Sequence, residues 1–163
     1  MVSLIVHALL GAFVVILIVR LNPTIFRRVA AEPLFSPIEL ALYAIGIASV
    51  IGGWSFNIAF VREYGHGIIS NPIWGDGSWA QYIKLMFANP AAGSAGIDYT
   101  IANVVVLPVV VVVWGRRLGI NKPWLYFVAT LFASFAFGWA FFAATAERQR
   151  RLQLEGVKDV QTV

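Results

Sequence analysis

Four apolar runs, each closed by charged residues, organise the chain. The first covers residues 1–19 and ends at Arg20; the second covers 37–61 and ends at Arg62 and Glu63. The third covers 90–114 and stops at Gly115-Arg116-Arg117; the fourth covers 123–146 and passes into a polar tail at 147–163. Each is close to the roughly 20 residues with which an α-helix crosses a bilayer. In hydrocarbon a segment must satisfy its own backbone hydrogen bonds, so even the Val-rich stretch 104–113 reads as helix. The pattern predicts an all-α membrane protein: one membrane domain over residues 1–163 with four transmembrane helices.

Local signals sharpen the element starts. Ser36-Pro37-Ile38-Glu39 has a capping Ser, Pro at the first helical position and Glu at the third, which predicts a capping box. Asn89 followed by Pro90 opens the third span in the same way. The segment WAQYIKLMF at 79–87 mixes aromatic and aliphatic residues with Gln81 and Lys84, so a short interfacial helix is expected before the third span. Residues 64–79 are Gly-rich and turn-like, and His66 within them is read as solvated. Pro108 removes one backbone hydrogen bond and predicts a kink near Val104–Pro108. No Lys or Arg precedes the first run and three arginines follow it, so it reads as a retained span and not as a signal peptide.

Small residues at four-residue spacing predict helix faces that admit a neighbouring backbone. They are Ala44, Ala48 and Gly52 on the second span, Ala92 and Gly96 on the third, and Ser134 and Gly138 on the fourth.

Composition supports the membrane reading. The chain is 60% hydrophobic and 12% charged, with mean hydropathy +0.79, against about 45–50% and about 25% in an ordinary soluble domain. With no Cys, disulfides and thiolate metal sites are excluded. The net charge of +4 sits at span edges, where it suits anionic lipid headgroups better than nucleic acid. In a four-span layout the loops 20–35 and 115–122 share one side with six basic residues; Arg62, Lys84 and the tail put six on the other. Short loops then favour both termini outside the cytoplasm, and the basic tail opposes this.

Asp98 is the candidate for chemistry. It lies eight residues past Pro90, about 12 Å along a helix at 1.5 Å per residue, and an intramembrane acid is a functional-site hypothesis by default. Counting depth from the same side lets His7, Trp54, Asn57, Asp98 and Tyr99 gather in one half of the membrane as a binding or packing cluster. Asp98 would be its acid, with His7, Asn57 and Tyr99 positioning it. The plainer reading makes Asp98 an interhelical hydrogen-bonding group. His7 alone reads as a packing histidine, Glu39 as a cap, and Arg116-Arg117 and Arg148–Arg151 as lipid-facing anchors. No metal-ligand, phosphate-loop or nucleophile pattern is present, so no metal and no cofactor is expected.

The segment FANPAAGSAGID, the apolar helix ending in WGRRLGI and the aromatic stretch KPWLYFVATLFASFAFGWAFF resemble a family of small bacterial membrane proteins. That family is catalogued only as a domain of unknown function. Its features fall here on Phe87, Asn89, Pro90, Ala91, Ala92, Asp98, Arg116, Arg117, Leu118 and Gly119, from the second span onward; the first span looks like an addition. The last span departs from the family's Pro-containing apolar end. The resemblance implies a multi-pass protein of the bacterial inner (cytoplasmic) membrane.

Three functions stay open. The first is an accessory or assembly subunit of a larger membrane complex, with a lipid-transport permease assembly as favoured host and with lipids and other integral membrane subunits as partners. The second is a small isomerase- or cyclase-like enzyme acting on an isoprenoid or lipid through Asp98. The third is a lipid or pigment binder with Trp54 and Trp139 along a groove.

Overall fold

A computed structural model describes residues 2–29, 32–65 and 71–161; His66 lies outside them. The described residues are helical, with no strand. In order they form α1 (Val2–Leu21), a 3-10 turn (Pro23–Phe26), α2 (Pro37–Tyr64), α3 (Trp79–Met86), α4 (Pro90–Thr100), a π-helical segment (Ile101–Val106), α5 (Leu107–Arg117), α6 (Leu125–Phe132) and α7 (Phe135–Gln161). Among the described residues, three stretches are long and apolar enough to cross a membrane: Ser3–Leu21, Pro37–Tyr64 and Pro90–Arg117. Their outer faces expose Ile5, Leu9, Phe13, Ile45, Ile51, Phe56, Ile101, Val105 and Val109. So large an apolar surface suits lipid and not water, which marks a membrane protein.

The expected starts form as the side chains dictate. The Ser36 hydroxyl accepts from Glu39 N at 3.2 Å while Ser36 N donates to the Glu39 carboxylate at 2.5 Å, closing the capping box. Asn89 Oδ1 accepts from Ala92 N at 2.9 Å, with Pro90 at the first position of α4. The short helix α3 is present, capped by Ser78. Around Pro108 the ladder is widened into the π-helical segment, in which Leu107 N reaches back to the Ala102 carbonyl. The widened turn accommodates the proline, which has no N–H to donate and whose ring crowds the preceding turn.

The WGRRLGI stretch is a helix stop. Gly119 takes φ +72°, Ile120 N donates to the Gly115 carbonyl at 2.8 Å and Gly119 N to the Arg116 carbonyl at 3.1 Å. That is the paired bonding of a Schellman end, for which glycine is favoured at the left-handed position. A Cβ on Gly115 would lie 2.4 Å from Pro123 Cβ, so the start of the next element presses directly on this turn.

The fourth apolar run is where the expectation of one continuous helix over 123–146 has to be corrected. It is two helices, α6 and α7, broken at Ala133–Ser134, where Ala133 adopts φ −100°, ψ −85°. Ser134 restarts the chain as a cap, its hydroxyl accepting from Phe137 N at 3.1 Å, and Gly138 N donates to its carbonyl at 3.1 Å. The two helices fold back on each other as a hairpin. Tyr126 on α6 meets Phe141 and Phe142 on α7 at ring distances of 5.2 and 5.5 Å. Its hydroxyl donates to Thr145 Oγ1 at 2.9 Å.

Both ends of this hairpin lie at the same end of the bundle. At its entry, Asn121 N donates to Asn22 Oδ1 at 2.7 Å and Asn22 Nδ2 to the Asn121 carbonyl at 3.1 Å, pinning it to the end of α1. At its exit, Arg148 reaches the Arg27 carbonyl and Glu39 at the start of α2. The tip packs mid-bundle: a Cβ on Gly11 would meet Phe132 Cβ at 3.3 Å, and Ser49 and Ser134 share a hydroxyl bond of 2.5 Å. The core sits around this hairpin, with Val14, Ile18, Leu107, Val111, Leu125, Tyr126, Phe141 and Phe142 buried.

The tail expected as a polar extension is therefore the continuation of α7 to Gln161, running beside the 20–35 connection. Among the described side chains, nine basic residues share one end of the molecule with four acidic ones; Arg62 and Lys84 stand at the other. The even division that followed from four crossings does not hold.

Candidate functional site: an ion-pair latch at the basic end

Glu39 enters the interior because the capping box turns its carboxylate back over the start of α2. It is 0% exposed. Arg148, 1% exposed, donates from Nε to Glu39 Oε1 at 2.7 Å and from Nη2 to Oε2 at 3.0 Å. This is the two-pronged geometry in which guanidinium and carboxylate bind best. The remaining Arg148 donors serve the Arg27 carbonyl at 2.6 Å and the Leu34 carbonyl, and the guanidinium lies 5.2 Å from the centre of the Phe35 ring.

One turn on, Arg151 donates to Glu39 Oε2 at 2.7 Å and to Glu32 Oε2 at 2.6 Å. Gln149 donates to the Thr24 hydroxyl. Two carboxylates and two guanidiniums thus neutralise each other, and no buried side-chain N or O among the described residues lacks a hydrogen-bond partner. A closed set of this kind offers no free base or acid. It clasps α7 to the 22–36 connection and the start of α2.

Beside the latch lies a cleft of about 570 Å³ lined by Glu32, Ile38, Glu147, Arg150, Arg151 and Leu154, among others. Arg150 pairs with Glu147 at 2.8 Å, and that hydrogen bond holds the Glu147 carboxyl below its ordinary range. Arg148 and Arg151, expected to anchor in lipid, are buried ion-pair partners. Glu39, expected only to cap, both caps and pairs. The signal available in the sequence was complementarity: a Glu at the edge of one span and two Arg three residues apart at the edge of another.

The expected cluster is not assembled by the bonds and ring contacts among the described residues. His7 Nδ1 lies 2.8 Å from the Ser3 carbonyl, and its ring meets Trp79 at 6.4 Å and Phe132 at 5.9 Å. That is a packing role. Trp54 and Asn57 are half-buried on α2. Tyr99 accepts from Asn103 Nδ2 at 3.1 Å and packs on Phe135 at 5.5 Å.

Asp98 is exposed on α4, with no hydrogen bond or ion pair among the described residues. The depth counted from Pro90 is not the one depth that the helix length allows. Pro90–Arg117 is 28 residues long, about 42 Å as helix, against a hydrocarbon slab of about 30 Å. Counted from Trp114, Asp98 lies sixteen residues in, about 24 Å, in the outer part of the far leaflet.

A polar group that the sequence reading passed over is Asn103, 3% exposed in the π-helical segment. Its Oδ1 accepts from Thr130 Oγ1 at 2.9 Å, so it ties α6 to the third span.

Of the expected small-residue faces, Gly138 and Ser134 serve the hairpin and Gly96 abuts Met86 and Phe87, while Ala92 is half-buried. Ala44, Ala48 and Gly52 do not pack internally. They are exposed, and nothing lies within 4 Å of a Cβ on Gly52. The face of α2 that meets α7 is Gly46, Ser49 and Gly53, with Phe137, Ala140 and Ser134 opposite.

No curated protein and no solved structure matches the chain. A family profile does: the one described as "Protein of unknown function DUF2834" matches residues 41–148, from the first turns of α2 through the hairpin to Arg148. The first span lies outside that match, although Ile18 is fully buried and Asn22 clamps Asn121. With two thirds of its length so matched, the chain belongs to this family of proteins of unknown function, DUF2834.

Proposed function

We propose that the protein is an accessory or assembly subunit of a larger membrane complex, multi-pass in a bacterial inner membrane. In this reading α1, α2 and the helix Pro90–Arg117 cross the bilayer, and the α6–α7 hairpin enters and leaves on one side. The observation that carries it is Asp98: an exposed carboxylate on α4, unpaired among the described residues. Acids within spans nearly always pair or face a protected interior, so a neighbouring subunit is the natural source of the donor. The unfilled Ala44, Ala48 and Gly52 face supports the same reading, since small residues let a foreign helix approach closely. A lipid-transport permease assembly is the host for which the apolar character of the chain speaks.

The enzyme reading needs His7 and Asn57 beside Asp98, and no observation favours it. Purification of the tagged protein in mild detergent separates the two. The wild type is expected to migrate well above 17.9 kDa with a bound partner. Asp98→Leu should lose several-fold of that partner, as removal of an interhelical polar contact worth about 0.6–2 kcal/mol implies, and Asp98→Asn should keep much of it. A lone 17.9 kDa wild-type species would refute the subunit role. Altered membrane lipids in Asp98→Asn with the complex intact would favour the enzyme.

A further inference from the structure

The hairpin leaves one end of the molecule with a surplus of cations that its own acids do not meet. Glu32 and Glu39 are engaged by Arg148 and Arg151, and Glu147 by Arg150. Six cations remain exposed and make no ion pair among the described residues: Arg27 and Arg28 beside the latch, and Arg20, Arg116, Arg117 and Lys122 at the α1 end and the α5–α6 turn.

The fold gathers the last four deliberately. The reciprocal Asn22–Asn121 amide bonds, with Asn121 Nδ2 donating to the Leu21 carbonyl at 3.0 Å, hold the end of α1 against the α5–α6 turn. Arg20 and Lys122 flank that clamp one or two positions away. The Schellman turn at Gly119 brings Arg116 and Arg117 into the same edge. Lys122 itself takes φ +50°, a left-handed conformation unfavourable for a residue with a Cβ, so the turn is held by its surroundings.

Depth gives a second, independent indication. Trp114 and Trp124, 56% and 50% exposed, bracket the turn that carries three of the four cations. Exposed Trp at a span edge marks headgroup level, which is where lipid phosphates lie.

We propose that Arg20, Arg116, Arg117 and Lys122 form a docking surface for the phosphate-bearing headgroups of anionic phospholipid at the basic end of the protein. The basic end then faces the leaflet richer in such lipid, as the bias of basic loops toward the cytoplasm requires. This inference rests on the membrane placement proposed above and not on the subunit role.

The test is lipid retention. The full chain is reconstituted into nanodiscs of equal phosphatidylglycerol and phosphatidylcholine, and the bound lipid is counted by native mass spectrometry. The wild type is expected to retain phosphatidylglycerol in preference. Replacing the four cations by Gln should weaken that preference by about fivefold per cation at low salt, while Arg62→Gln with Lys84→Gln, at the other end, leaves it unchanged. Circular dichroism checks that each variant keeps its helices; if the fourfold variant does not fold, Arg116→Gln/Arg117→Gln is read in its place.

A wild type without preference, or a preference that survives in the variant, overturns the proposal. Displacement of the lipid by millimolar inorganic phosphate also overturns it, by pointing to a soluble anion. Failure of the wild type to enter nanodiscs would refute the membrane placement instead.

Discussion

Glu39→Gln is expected to lower the stability of the folded protein by about 3–5 kcal/mol, the usual cost of leaving a buried charge without its partner. The amide still accepts from Ser36 N, so the cap of α2 is spared and the loss isolates the ion pair. Arg151 keeps Glu32 at 2.6 Å, whereas Arg148, 1% exposed, keeps only backbone carbonyls. Thermal unfolding in mild detergent, followed by loss of helical circular dichroism, measures the effect. The double variant Glu39→Met/Arg148→Met should recover much of the loss, because removing both charges also removes the desolvation cost. An unchanged melting temperature in Glu39→Gln would show that the latch contributes nothing.

Gly138→Ala is expected to be the most damaging single methyl. Its Cβ would lie 2.2 Å from Thr130 Cγ2 and 2.9 Å from the Tyr126 carbonyl oxygen. Either α6 and α7 separate, or Thr130 rotates and gives up its bond to Asn103. Overpacking of this kind costs about 1–3 kcal/mol, and the carbonyl contact places it at the upper end. Thr130→Ser in the same chain removes Cγ2 while keeping the hydroxyl, and should restore part of the stability. Strict additivity of the two changes, measured as a double-mutant cycle on the melting temperature, would contradict the close approach.

The parts of the fold legible in the sequence were the local ones. The capping box at Ser36 and Glu39 and the start at Asn89-Pro90 depend on residues within four positions of each other, and both are present. Pro108 announced a disturbance of the helical ladder, and a π-helical segment lies immediately before it. The break at Ala133–Ser134 was hidden because the run is uncharged throughout and holds no proline after Pro123 at its start. Hydropathy reports that a segment dislikes water, not whether it turns back. Ser134 read as part of a small-residue face, and the same small polar side chain is what restarts α7.

The latch was hidden for a different reason. Glu39 and Arg148 are 109 residues apart, and a cap explained the glutamate without any partner. On α2 both small-residue faces have helical spacing, so periodicity could not say that Gly46, Ser49 and Gly53 turn inward while Ala44, Ala48 and Gly52 stay outside. Counting from Pro90 and counting from Trp114 give Asp98 different depths, because Pro90–Arg117 is longer than a hydrocarbon slab.

The last two helices form a hairpin whose ends lie at one end of the bundle, which in the proposed membrane placement puts both on one side. The natural chain contains no Cys, so single cysteines can be introduced at the exposed positions Asp76, Arg117 and Gln153 and labelled with a membrane-impermeant maleimide. Arg117→Cys and Gln153→Cys are expected to react from the same side, only after permeabilisation of the cells, and Asp76→Cys from the opposite one. Labelling of Arg117→Cys and Gln153→Cys from opposite sides, as a fourth crossing would require, would contradict the account.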